Sequence, residues 1–439
     1  MKILKRILLL ALTIVILIVI INYPKLNIIA GYSAKSMNSS VFLAERPVAF
    51  TDSTDNNFSP INLGTDKVDK ASKTSTASVF GLLTRKAFYR KGLGSVLIDA
   101  NFDTSLKVRV PKRSIPDNIT AFPFGNAEQK DTLFNTIDYS KLNNTVSNLF
   151  ANNTKTRAVV VIHKNQIIAE QYGTGFTKNS RILGWSMTKS IMSTVFGVMQ
   201  HQNKININDY APIMEWQNDD RKNITINDLL HMNSGLEWDE NYNEISDVTK
   251  MLFLERDMAK QQAKEEFVGK TNNTWNYSSG TSNLLSGIIR SKFTKHQQYL
   301  DYWYSNFIDK IGMNSMVIET DMNGNYVGSS YAWATPRDWA KFGLLYLNNG
   351  TWNGQQLFTK KWVDYITTPT NGSNGTYGGH FWLNAEGQFP DIPKNMFYAS
   401  GYQGQFVFVF PDQDLVVVRM GLAHIDINEF LKAVLESIK

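Results

Sequence analysis

Trp185-Ser186-Met187-Thr188-Lys189-Ser190 begins a segment, Ser186 to Gln200, in which Ile191, Val195, Val198 and Met199 recur at helical spacing. The S-x-x-K inside it puts a serine and a lysine at i and i+3, on one helix face. If Ser186 opens the helix, the Lys189 amine stands within reach of its hydroxyl. A serine hydroxyl becomes a useful nucleophile only when a neighbour takes its proton, and a desolvated lysine does that. Backbone N–H groups at a helix start also serve a developing oxyanion. Chance produces such a match in a chain with this many serines and lysines. This chain has one, and it lies at a helix start.

Outward from this motif the patterning predicts an α+β arrangement. Ala158–His163 and Ile167–Tyr172, separated by Lys164-Asn165-Gln166, read as a β-hairpin. Gln405–Phe410 and Leu415–Met420 flank Pro411-Asp412-Gln413-Asp414 and read as another. Between them, Thr225–Met232, Asn283–Lys292 and Pro336–Asn348 read as helices, and a last helix spans Asn428–Ile438. Strands at both ends with helices between them predict one antiparallel sheet built from both ends of the region. The loop Trp275-Asn276-Tyr277-Ser278-Ser279-Gly280 presents a tyrosine suited to carrying a proton if a nearby ammonium lowers its pKa. Ala399-Ser400-Gly401-Tyr402 precedes a strand, where glycine lets a backbone edge approach a ligand closely.

In this order and at these separations the three elements resemble the penicillin-recognising serine hydrolases, which carry S-x-x-K, a Tyr or Ser motif, and K-T-G on a strand. Within that superfamily the chain is similar to the class C β-lactamase-like branch. It is most similar there to 6-aminohexanoate-dimer hydrolases and related esterases, through Thr225–Leu236 (T-I-N-D-L-L-H-M-N-S-G-L), Glu237-Trp238-Asp239-Glu240 and Tyr277-Ser278-Ser279-Gly280. The resemblance spans roughly Asp138 to Lys439. It implies a β-lactamase/transpeptidase-like fold: an antiparallel sheet flanked by helices, plus a helical subdomain. It also implies catalysis by Ser186 as nucleophile, Lys189 as its activating partner and Tyr277 as proton shuttle. The backbone N–H groups of Ser186 and Tyr402 would form the oxyanion hole, with Ser279, Ser400 and Gly401 facing the substrate. Two departures stand out. Ser279 replaces the Asn of Y-x-N, and Ala399 replaces the basic residue of K-T-G. A carboxylate losing its water shell needs a cation that Ala399 does not supply. The expected reaction is therefore acyl-enzyme hydrolysis of a small ester or amide rather than of a penicillin. The rival reading is a penicillin-binding-like envelope scaffold or sensor whose chemistry has decayed.

The rest of the 439 residues bounds these readings. With 43% hydrophobic and 19% charged residues the chain is globular. A net charge of +6 without a like-charge block gives nucleic acid no purchase. The absence of cysteine excludes disulfides, thiolate metal sites and cysteine nucleophiles. His163, His201, His231, His296, His380 and His424 lack metal-ligand spacing, and no phosphate-binding glycine loop occurs, so neither metal nor cofactor is expected. His231 reads as a satisfied helix histidine, and Glu237, Asp239 and Glu240 as a solvated acidic turn. Lys2, Lys5 and Arg6 precede an apolar run, Ile7–Ile21, ending at Asn22-Tyr23-Pro24. This predicts a signal-anchor in the inner (cytoplasmic) membrane, residues 1–24, with the catalytic part periplasmic or otherwise extracytoplasmic. Residues 25–135 form an extension without a recognisable motif. In it Ser36–Lys73 reads as loop or extended chain, Val79–Ile98 as a short hairpin, and Val110–Gly125, with Pro111, Pro116 and Pro123, as a connector. Residues 136–439 form the expected hydrolase domain.

Overall fold

A single helix, α1 (Lys2–Phe42), carries the apolar run and continues through Pro24 instead of ending there. The computed structural model describes residues 2–115, 120–125, 127–129, 132–151 and 154–438; Pro116 of the expected connector lies outside them. Among the described residues, Ile3–Phe42 is the one helix long and apolar enough to cross a membrane. Its N-terminal half is exposed, whereas Ala30, Ser33, Ala34, Met37 and Asn38 are completely buried. The segment Ser36–Lys73, expected as loop or extended chain, is largely regular. It holds the end of α1, a short helix at Val48–Ser53 and strand β1 (Gly64–Asp69). Its serines and asparagines read as loop residues, but tertiary contacts engage several of them. Ser39 Oγ donates to Glu319 at 2.9 Å, and the Asn38 amide donates to the carbonyl oxygens of Lys73 and Ala87 at 3.3 and 3.4 Å. Strands β2 (Thr74–Val79), β3 (Leu83–Arg90) and β4 (Gly94–Ile98) complete an antiparallel sheet in sequential order, and α1 packs against all four strands. The hairpin expected in Val79–Ile98 is β3–β4, with Arg90 opposite Gly94.

The valine-rich runs build the larger sheet. Strands β5 (Thr156–His163) and β6 (Gln166–Tyr172) form the first hairpin. Helices α2 (Met187–His201), α3 (Ser279–Ser291) and α4 (Pro336–Leu347) follow. Strands β7 (Trp382–Leu383), β8 (Phe397–Gly401), β9 (Gln405–Phe410) and β10 (Leu415–Gly421) then lead into helix α5 (Ile427–Leu435). The strand order is β7-β8-β9-β10-β5-β6, all antiparallel, so the two ends of the region meet at the β10–β5 pair with Val418 opposite Val160. The sheet is covered on both faces, which is why β5, β9 and β10 read as unbroken hydrophobic runs. Val160, Ile162, Val416 and Val418 face a large core shared with α2 and α4, while Val159, Val161 and Val417 face α5 and the helix Tyr139–Asn148. Thr225 caps its short helix, Ile226–Leu230, through a reciprocal pair of hydrogen bonds with Asp228.

Candidate active site

The chain enters α2 through a turn in which Trp185 has φ of 47°, a left-handed conformation costly for a large side chain. Ser186 is the last residue before the helix proper and is half-buried. One turn on, Lys189 is 1% exposed, and its ammonium donates to Ser186 Oγ at 3.0 Å, Ser279 Oγ at 2.9 Å and the Ser329 carbonyl at 3.0 Å. Three acceptors thus take the three N–H bonds of a buried cation. Burial pulls the amine down to about 8, against the opposing pull of the Glu240 carboxylate. The half-buried ring of Tyr277 lies 4.9 Å from Lys189 Nζ, with its hydroxyl in hydrogen-bonding reach of Ser186. The condition set for Tyr277, a pKa lowered by a nearby ammonium, is not what its surroundings favour. Burial, followed by the negative charge of Glu240, pushes the phenol well up, and only the bond with Ser186 works the other way.

Glu240 is the residue that sequence reasoning misplaced. Glu237 and Asp239 are exposed as expected of a solvated turn, but Glu240 is half-buried. Its carboxylate accepts from Ser279 N at 2.9 Å, Ser279 Oγ, Trp238 Nε1 and, at 3.0 Å, the Tyr242 hydroxyl. Nothing in an E-W-D-E run tells which acid folds inward; the fold aims Glu240 at the N-terminus of α3, where a negative charge is favoured. Ser279 is fully buried and accepts from Lys189 while donating to Glu240, so its hydroxyl joins these two groups. His231 is held by Thr370 and sits edge-on to Tyr365, and burial lowers it to about 4. Burial likewise lowers His380, bonded to the Leu230 carbonyl and Ser282, to about 3. Both imidazoles are neutral. Among the described residues no group of three or more His, Asp or Glu is placed to hold a metal.

The third motif lies against the first. A Cβ on Gly401 would stand 2.1 Å from the Gly184 carbonyl oxygen, so only glycine lets β8 press against the approach to Ser186. Tyr402 follows and meets Trp185 edge-on, with ring centroids 5.6 Å apart. Among the described residues no acceptor takes the N–H of Ser186 or of Tyr402. The turn behind Tyr402 is tied down by Arg419. This fully buried residue donates to the carbonyls of Gly404, Ala423 and Thr154, each at 2.8 Å, and to Thr156 Oγ1 at 2.9 Å. Ser400 is half-buried, whereas Ala399 is 1% exposed and packs in the core. A cavity of about 610 Å³ opens beside Trp185, Tyr242 and Tyr402.

The chain and its fold are similar to known proteins. The family model described as Beta-lactamase matches residues 142–421. A 6-aminohexanoate-dimer hydrolase from Paenarthrobacter ureafaciens is 22% identical over 301 residues, 61% of this chain and 72% of that protein. A Bacillus anthracis structure, provisionally named as such a hydrolase, superposes with a TM-score of 0.58 at 21% identity, covering 74% of this chain and 88% of its own. A family VIII carboxylesterase structure superposes with a TM-score of 0.53 at 14% identity, covering 68% and 97%. The structural likenesses show the fold, an α+β architecture of antiparallel sheet and helices shared with β-lactamases and penicillin-binding proteins. The matched model covers more than half of the sequence, and on that ground the chain belongs to the beta-lactamase family.

Proposed function

We propose that the protein is a serine hydrolase that cleaves an ester or amide through an acyl-enzyme on Ser186. The observation that carries this reading is the Lys189 amine, buried, drawn down to about 8 and 3.0 Å from Ser186 Oγ. In its neutral form the amine accepts the Ser186 proton as Oγ attacks the carbonyl carbon. The tetrahedral oxyanion is met by the Ser186 and Tyr402 N–H groups. Tyr277, held neutral, passes a proton to the departing alcohol or amine. Water then attacks the acyl-enzyme by the reverse proton path, releasing the acid and restoring Ser186. Glu240 sets the charge around Lys189 and Ser279, and it lines the cavity together with Glu244. A substrate carboxylate beside Ser186 would meet Glu240 and, at Ala399, no basic side chain, which supports neutral esters and amides over penicillins. Residues 136–439 are read as the catalytic domain, and α1 as its link to a membrane, with Lys2, Lys5 and Arg6 on the cytoplasmic side.

A fluorophosphonate probe tests this directly, since it reacts only with an activated serine. The wild-type protein should label and hydrolyse p-nitrophenyl acetate. Ser186→Ala should do neither while keeping its stability within about 1 kcal/mol. Equal labelling of both proteins, or of neither, would favour the decayed scaffold instead.

A further inference from the structure

The cavity beside the site is walled on one side by the helix that carries the apolar run. Ile28, Ile29 and Tyr32 of α1 line it together with Trp185, Tyr242 and Tyr402. Tyr32 stacks on Trp185, with ring centroids 5.8 Å apart and an interplanar angle of 21°. At 1.5 Å per residue, Ile28 and Ile29 stand only roughly 10 Å past the last apolar residue of the run. A second apolar surface lies at the same level. The β2–β3 turn carries Phe80, 67% exposed, and Leu82, 57% exposed, and the Tyr23 hydroxyl donates to the Leu82 carbonyl at 3.3 Å. Leu63, 44% exposed, precedes Gly64, which pairs with Val79 at that same end of the sheet. The opposite end of the sheet, at Lys73, lies beside Asn38, about 22 Å further along α1. The exposed apolar tip and the exposed apolar half of α1 therefore meet at Tyr23. A bilayer that received the run would touch the tip as well, and the cavity would stand just above the headgroups.

We propose that this cavity takes the acyl chain of an ester that partitions into the membrane, delivered from the bilayer along α1 with its carbonyl at Ser186. The inference rests on the serine hydrolase reading and adds the substrate class. Ser186 Oγ bonds to the acyl carbon, the ester C–O bond breaks, and the alcohol leaves with the proton passed by Tyr277. Water then releases the fatty acid. A volume of about 610 Å³ falls within the range of sites that enclose a small molecule. Its apolar wall from α1 offers a chain what an acetyl group cannot use.

The full chain in phosphatidylcholine vesicles tests this with p-nitrophenyl esters of increasing acyl length. kcat/KM should rise about fourfold per methylene until the cavity is filled, the gain for removing one methylene from water. Ile29→Trp, which fills the cavity from α1, should cut the decanoate-to-acetate ratio at least tenfold. Should that variant not fold, Asn243→Trp fills it from the exposed opposite wall. A ratio near one, or one that neither variant moves, overturns the acyl-chain assignment while acetate turnover leaves the hydrolase intact. Absence of turnover of every ester in the wild type overturns the underlying reading itself. Because the chain has no cysteine, a fluorophore on Phe80→Cys reports one position. It should be quenched by nitroxide-labelled lipid, while the same fluorophore on Lys70→Cys, at the far end of the sheet, should not. Equal quenching at both positions, or at neither, removes the docking of the tip.

Discussion

At the scale of single residues, the site turns on one amine. With Lys189 at about 8, kcat/KM for a neutral ester should rise with pH and reach half its maximum near pH 8, as a pH–rate profile will show. Glu240 holds that value up, so Glu240→Gln should move the profile to lower pH, and an unmoved midpoint would separate Glu240 from the amine. The same amine affects stability. Its folded pKa lies below the unfolded value of about 10.4, so between about pH 8 and 10.4 the unfolded state binds the extra proton and stability rises with pH. Lys189→Met should flatten that rise in urea titrations. Lys189→Ala and Tyr277→Phe should each cost on the order of 10²–10⁴ in kcat. Both act on one proton path, so the double variant should lose little more than the worse single one.

At the scale of elements, β8 and the start of α2 are held in contact by the absence of a side chain. Gly401→Ala would drive a methyl group into the Gly184 carbonyl and should destabilise by on the order of 1–3 kcal/mol, with kcat falling as Tyr402 N–H moves off the carbonyl oxygen. Thermal melts and steady-state kinetics measure the two effects separately. Ala399→Lys illustrates the opposite situation. The position matches the missing basic residue of the third motif, but its side chain is packed in the core. An ammonium there would be buried among apolar groups, so the substitution should lower stability rather than recruit carboxylate substrates.

At the scale of the whole molecule, α1 runs from an exposed apolar half into the buried core. Lys35 forms a buried ion pair with Glu319, which also accepts from Ser95 N at 2.7 Å and Trp333 Nε1 at 3.1 Å. Lys35→Met would leave that carboxylate buried without its cation, a change that typically costs 3–5 kcal/mol or so. Denaturant unfolding of the purified protein should show a loss of about this size, and an unchanged midpoint would mean that the pair adds nothing to stability. Cleavage near Ala34, as after a signal peptide, would remove Ile29, Ala30 and Ser33 from the core and break the wall of the cavity.

The sequence by itself determined the parts that depend on local spacing. The i, i+3 pair Ser186 and Lys189, the valine-rich hairpins, the capped helix at Thr225 and the order of the three motifs were all legible, because periodicity and turn chemistry act between near neighbours. Tertiary structure alone decided the rest. Asn38 and Ser39 look like loop residues until Lys73, Ala87 and Glu319 supply their partners from far along the chain. Glu240 looks like any acid in a polar turn until α3 presents its first N–H to it. The direction of the Tyr277 shift belongs here as well: burial and the Glu240 charge raise it, and neither can be seen from a spacing. Burial and electrostatics belong to the assembled fold, because they depend on what three-dimensional packing brings within a few ångströms and takes out of water.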